Sequence, residues 1–222
     1  MILSQLHRDK INSYRFRLLA LTLSFYFILP PFANLPALEA IKAIVLKLLI
    51  ILIGGEFMRP GRSKQLWYVI GVLNLIVAGI NFVTGENNIG FFLFEYLLFV
   101  LMVITLFYLL MKQISQMKEV TSDGIIGAFN GYVLLGLIAF FTYLTISLFE
   151  TEMFSNLGEG VESIDRLFYY SFISMTTIGF GDIVPTHSYS QKLTIFFGII
   201  GQFYIAVNVA ILVSKYMAAK KD

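Results

Sequence analysis

Long runs of apolar residues, separated by short polar stretches, dominate the pattern of this 222-residue chain. A helix that crosses a bilayer needs about 20 mostly apolar residues. Runs of this kind fall near 14–31, 39–56, 65–83, 89–112, 124–149 and 190–218. A shorter amphipathic run at 163–175 is too short to span. The pattern predicts an all-α membrane protein with six transmembrane helices and one re-entrant helix.

The composition supports this prediction and excludes other classes of protein. Hydrophobic residues make up 58% of the chain and charged residues only 14%, whereas a soluble domain carries about 25% charged residues. The net charge of +2 gives no sign of a nucleic-acid partner. The two histidines are isolated, and no acid–base or metal-ligand spacing occurs. We therefore expect a protein surrounded by lipid that is not an enzyme and uses no organic cofactor.

Basic residues predict the orientation, because lysine and arginine favour cytoplasmic loops. They concentrate before the first predicted helix, between the second and third, between the fourth and fifth, and at the end of the chain. The alternate loops hold few of them. We expect both termini in the cytoplasm of a multi-pass protein of the plasma (cell inner) membrane.

The segment 176–182, with the sequence TTIGFGD, carries the most specific chemical signal. Gly179 and Gly181 alternate with bulky residues, so the backbone can alternate between ordinary and left-handed dihedrals. Such alternation points successive carbonyl oxygens in one direction, as is needed to replace the water around a potassium ion. A surface turn with two glycines is the alternative, and the helices predicted on both sides argue against it.

The short amphipathic run at 163–175 and the segment 176–182 resemble the pore helix and the selectivity filter, respectively, of tetrameric potassium channels. The resemblance implies that potassium ions bind along the filter formed by Thr177, Ile178, Gly179, Phe180 and Gly181. It also implies four supporting residues: Thr176 beside the filter, an aromatic pair that braces it from behind, and an acid behind the outer mouth. The pair is Tyr169 and Tyr170, and the acid is Asp182.

The sequence departs from the usual pattern of that family at two places. Phe180 lacks the hydroxyl of a filter tyrosine, and Ile173 replaces a glutamate that some bacterial members keep. Both departures bear on filter rigidity and inactivation. Because the chain carries one filter segment and a closed ring of carbonyls needs four, we expect a homotetramer.

The last predicted helix contains candidate gating residues. Gly201 lies where the family keeps a glycine in its inner helix, and it could act as a hinge or allow close packing against the pore helix. Ile205, Val209 and Val213 share one helical face and could line the cavity and gate by dewetting. Contact with lipid or with the fifth helix is the alternative.

Residues 1–122 form a four-helix half that resembles a voltage sensor, and residues 123–222 form the pore domain. A voltage sensor needs several cationic residues in the membrane field. The fourth predicted helix has none from Gly90 through Met111, and its one charged residue is Glu95. We therefore expect a non-voltage-gated channel, whose conductance depends little on voltage.

Two ionisable residues lie inside the four-helix half. Lys47 on the second helix and Glu95 on the fourth lie at similar depths, with Asn74 on the third near the same level. Since charges within a membrane are usually paired, we expect a Lys47–Glu95 pair with a mainly structural role.

The sequence as a whole predicts a potassium-selective channel that conducts K⁺ passively. A non-selective cation channel is one alternative, although such channels normally depart from the filter pattern at the second glycine or its aromatic neighbour. A potassium-uptake or transporter subunit is the other. Transporters carry internal repeats, and this sequence shows no second glycine motif.

Overall fold

A computed structural model describes residues 2–29, 36–84, 89–117, 121–149, 152–158 and 161–219 of the chain. These residues form seven α-helices: α1 (Ile2–Ile28), α2 (Pro36–Glu56), α3 (Arg62–Thr84), α4 (Ile89–Gln116), α5 (Ser122–Ser147), α6 (Val161–Met175) and α7 (Ser188–Ala219). Each apolar run of the sequence corresponds to one of them. The described residues contain no strand, and their one isolated β-bridge joins Phe154 to Pro185.

Four helices of the described chain are long and apolar enough to cross a membrane. They cover 62–83, 90–116, 122–147 and 188–215, within α3, α4, α5 and α7. These helices indicate a multi-pass membrane protein. The predicted first and second spans also form helices, but α1 carries Arg15 and Arg17 near its middle, and α2 contains Lys42 and Lys47. The count of six spans therefore stays a prediction.

Helix α5 lies at the centre of the molecule and packs against α1, α4, α6 and α7. Two of its glycines permit close contacts with aromatic side chains. A Cβ at Gly136 would lie 2.3 Å from Phe172 of α6, and one at Gly131 would lie 2.2 Å from the Tyr204 hydroxyl of α7. Small residues of this kind let membrane helices approach closely, where dispersion forces hold them together.

The four-helix half, formed by α1 to α4, is attached to α5 and α7 of its own chain. Asn130 of α5 donates a 2.7 Å hydrogen bond to the carbonyl of Phe16 in α1. Near the C-terminus of α7, the Lys215 ammonium donates to carbonyls at the end of α4, including that of Ile114 at 3.0 Å. A cation is favourable there because the last carbonyls of a helix carry partial negative charge. These contacts fix α1 and α4 relative to α5 and α7.

Candidate functional site

Helix α6 positions the glycine motif. It ends at Met175, the residue at which the sequence predicts its end. Its buried side includes Leu167, Tyr170, Ile173 and Met175, each less than 9% exposed. Because α6 is held on this side, the chain that leaves its C-terminus starts from a fixed point.

The backbone after α6 alternates in conformation along the motif. Thr177, Gly179 and Gly181 have φ values of +62°, +51° and +79°, whereas Ile178 and Phe180 do not adopt positive φ. A left-handed conformation costs a non-glycine residue roughly 1–2 kcal/mol, so the surrounding contacts must hold Thr177 in place. Alternation of this kind turns successive carbonyls the same way.

Backbone N–H groups at the start of the motif donate hydrogen bonds to carbonyls near the end of α6. The N–H groups of Ile178 and Gly179 both donate to the carbonyl of Ile173, at 3.0 and 3.1 Å, and that of Thr177 donates to Ser174 at 3.1 Å. Thr176 holds the carbonyl of Phe172 with its hydroxyl at 2.7 Å. The N–H groups of Thr177, Ile178 and Gly179 are therefore used on the helix, whereas no hydrogen bond to a carbonyl of residues 177–181 occurs among the described residues.

The two tyrosines behind the motif have different partners. Tyr170 is 3% exposed, and its hydroxyl lies 2.8 Å from that of Thr194 in α7. Tyr169 is 37% exposed and interacts with Asp182, just after the second glycine. Tyr169 thus reaches the outer end of the motif, whereas Tyr170 joins α6 to α7.

A loop before α6 supports the outer end of the motif. Asn156 donates its side-chain N–H to the carbonyl of Asp182 at 3.0 Å. The N–H of Ser155 donates to Val184 at 2.9 Å, and that of Thr186 to Met153 at 3.1 Å. The segments 153–156 and 182–186 therefore form a short antiparallel pair that braces the mouth.

One side of the motif is uncovered in the single chain. Ile178 is 55% exposed and Phe180 is 73% exposed. A Cβ added at Gly179 or Gly181 would meet no atom within 4 Å. Glycine is therefore needed at these positions for its backbone conformation, not for space. The open side is available to neighbouring chains or to ions.

The candidate gating residues lie on α7, which is helical from Ser188 to Ala219 without a break. A Cβ at Gly201 would come within 2.4 Å of the Met175 side chain and 3.1 Å of its carbonyl oxygen. This contact is a reason for a small residue at position 201, and a role of Gly201 as a hinge stays a prediction. Ile205, Val209 and Val213 are 43%, 54% and 54% exposed, so the helix leaves all three uncovered by the rest of its own chain.

Lys47 and Glu95 meet in the interior of the four-helix half. Their residues are 6% and 4% exposed, and Lys47 Nζ donates to Glu95 Oε1. Asn74 donates to the backbone carbonyl of Glu95 at 2.8 Å, while Asn81 donates to Oε2. Asn81 was missed by sequence reasoning. It lies two helical turns after Asn74 in an apolar helix, and that spacing is the signal that places both on one face.

Comparison with known proteins finds similarity in the pore half. A family model described as "Ion channel" matches residues 131–218, from within α5 to the end of α7. This segment is similar to ion channels. The match contains the whole glycine motif and both helices beside it. The family is one of channels and not of enzymes.

Individual relatives are potassium channels. "Potassium voltage-gated channel subfamily A member 2" of Oncorhynchus mykiss is 35% identical over 86 residues, which cover 37% of this chain and 17% of that protein. "Potassium voltage-gated channel subfamily A member 5" of Mus musculus is 30% identical over 86 residues, which cover 37% of this chain and 14% of that protein. The chain thus matches less than a fifth of these relatives' length. No solved structure matches it significantly.

Proposed function

We propose that this chain is one subunit of a homotetrameric, potassium-selective channel that conducts K⁺ passively across the plasma membrane. The observation that carries the proposal is the alternating backbone from Thr177 to Gly181. Carbonyl oxygens that face one way at regular spacing replace the hydration shell of a potassium ion as it enters. The names of the two relatives described above, both potassium channels, support the choice of ion.

The proposal assigns an ion-binding role to five residues. The carbonyls of Thr177, Ile178, Gly179, Phe180 and Gly181 line the ion path, and the Thr177 hydroxyl can add an oxygen at its inner end. Asp182 and Tyr169 support the outer end, and Thr176 supports the inner end. The ion is cargo, and the chain needs no further cofactor.

Four copies are proposed because a single chain supplies one strip of carbonyls and leaves one side of it open. The single chain also leaves apolar residues exposed, including Ile178 and Phe180 in the filter and Val209 and Val213 in α7. In a fourfold ring, neighbouring chains would cover the filter side chains, and the α7 residues would line the inner cavity. Rotational symmetry closes such a ring from one repeated interface.

Weak voltage dependence is proposed from the chemistry of α4. This helix has no lysine or arginine between Gly90 and Met111. Its one charge in that range, Glu95, is bound to Lys47 and Asn81. At ~2.3 kcal/mol per charge per 100 mV, a helix whose one charge in this range is fixed and neutralised gains little energy from a voltage step.

The proposed topology has six spanning helices and both termini in the cytoplasm. Besides the four most apolar helices, α1 and α2 would also cross the membrane. Pairing with Glu95 removes the net charge of Lys47, the most deeply placed cation of α2. The predicted cytoplasmic side contains Arg15, Arg17 and Lys215, in agreement with the preference of basic residues for that side.

A flux assay in liposomes tests the proposed function. Vesicles loaded with K⁺ and diluted into Na⁺ should lose K⁺ when they contain the purified protein and a protonophore that balances charge. Gly179→Ala should abolish this loss, because alanine is strained at a φ of +51°. Gly79→Ala, at a glycine of α3 outside the pore whose Cβ would meet no atom within 4 Å and whose φ is not positive, serves as the folding control and should conduct. Equal flux from Na⁺-loaded vesicles would point to the non-selective alternative.

A further inference from the structure

A partly enclosed cavity lies between the four-helix half and the pore helix. Its volume is about 340 Å³, within the ~300–1,000 Å³ range of small-molecule sites. Residues of α1 through α6 line it, among them Tyr26 of α1 and Ile164 of α6. Any occupant would therefore touch both halves of the chain.

Small residues on two helices create this space. Ala40 and Ala43 of α2 and Ala78 of α3 line the cavity where longer side chains would close it. Aromatic residues also line the cavity, including Phe92 and Phe99 on α4. The walls are therefore mainly apolar and suit a flat apolar body.

Lys47 lines the cavity and has more N–H donors than the acceptors found for it among the described residues. A lysine ammonium has three N–H donors. Among the described residues, the one oxygen that accepts from Lys47 is Oε1 of Glu95. The rings of Tyr96 and Phe99 lie 5.5 and 5.6 Å from Nζ. Since a buried donor without an acceptor is unfavourable, the ammonium favours an occupant that carries an oxygen acceptor.

Among the described residues, the charges that line the cavity balance. Lys42 and Lys47 are cationic, and Glu95 and Asp165 are anionic. A charged occupant would add an unbalanced charge at a buried position in a membrane protein, which is costly. We infer that the cavity is a binding site for a small, uncharged, mainly apolar molecule that bears one hydrogen-bond acceptor. The acceptor binds a free N–H of Lys47, and the apolar body packs on the aromatic rings.

Photolabelling of the purified full-length protein tests this site without reference to channel activity. Benzophenone is a suitable probe because it is uncharged, has two rings and one carbonyl acceptor, and reacts on irradiation. Mass spectrometry should find the label in the segments of α2, α3 and α4 that line the cavity. Acetophenone should displace it at least about fivefold better than α-methylstyrene, in which CH₂ replaces the oxygen. That ratio corresponds to a net hydrogen bond of about 1 kcal/mol.

Three variants separate a specific site from simple partition into lipid or detergent. Ala78→Phe fills the cavity and should remove the labelling, whereas Val69→Phe, at a position 64% exposed on the same helix, should leave it unchanged. Lys47→Met combined with Glu95→Gln keeps the volume and removes the ammonium. In that double variant the two competitors should become equal.

Two results would overturn the inference. One is labelling spread over exposed helix faces and unchanged by Ala78→Phe, which would mean that the cavity holds only water. The other is equal competition by acetophenone and α-methylstyrene in the unmodified protein, which would exclude the role of Lys47. If Ala78→Phe fails to fold, as judged by gel filtration, Ala43→Phe tests the same point from α2. The competition ratio needs no cavity-filling variant.

Discussion

The Lys47–Glu95 pair allows a sharp test of how the four-helix half is held together. Glu95→Gln keeps the size of the side chain and removes its charge, which leaves the Lys47 ammonium buried at 6% exposure without its carboxylate. Breaking a buried pair from one side costs about 3–5 kcal/mol, whereas removing both charges is often close to neutral. We expect Glu95→Gln to lower the free energy of unfolding by about 3 kcal/mol or more, and the double variant with Lys47→Met to recover most of that loss.

Denaturant titration in a mild detergent, followed by circular dichroism, measures both losses on the same protein. The exposed pair of Lys64 and Glu56, whose nitrogen and oxygen lie 2.8 Å apart, is the matched control. Its side chains are 28% and 52% exposed, so the equivalent changes there should alter stability by less than about 1 kcal/mol. If the double variant at 47 and 95 is as unstable as Glu95→Gln alone, the two residues do not stabilise each other and the pairing is wrong.

Further predictions concern the pore half. Gly201→Ala should lower thermal stability, because its Cβ would lie 2.4 Å from the Met175 side chain. Gly198→Ala is the control and should leave stability unchanged, because a Cβ there would meet no atom within 4 Å. Equal melting temperatures of the two variants would disprove the packing role of Gly201. Val209→Cys and Val213→Cys should react with a thiol reagent added from the cytoplasmic side, and protection of both would remove them from the cavity lining. Lys215→Met should destabilise the protein by about 1 kcal/mol, because the hydrogen bonds to the carbonyls at the end of α4 are lost. Lys215→Arg should retain most of that stability. Equal losses of stability in the two variants would exclude a stabilising role for these hydrogen bonds.

Features that depend on local sequence could be predicted well. The apolar runs gave the seven helices, and the end of α6 at Met175 followed from the change to glycine and threonine. The alternating dihedrals of 177–181 also follow from residue type, because glycine accepts positive φ. Thr177 is the exception. It adopts positive φ although its side chain disfavours it, and its N–H donates to the carbonyl of Ser174 at the end of α6.

Features that depend on how helices rotate and pack could not be predicted. The depth of Lys47 and Glu95 followed from counting residues, but the second partner, Asn81, required knowledge of which face α3 turns to α4. Likewise, the contact between Gly201 and Met175 depends on how α7 packs against the end of α6, and the role of this glycine as a hinge stays a prediction. The attachment of Lys215 to the end of α4 joins residues about 100 positions apart, and no local pattern signals it.

The reversal potential of the purified protein in a planar bilayer tests the central claim most directly. With K⁺ on one side and Na⁺ on the other, the account predicts a reversal potential that follows the potassium gradient and a conductance that changes little across voltage steps. A reversal potential that follows sodium, or that stays near zero under opposed gradients, would contradict a potassium-selective filter at residues 177–181.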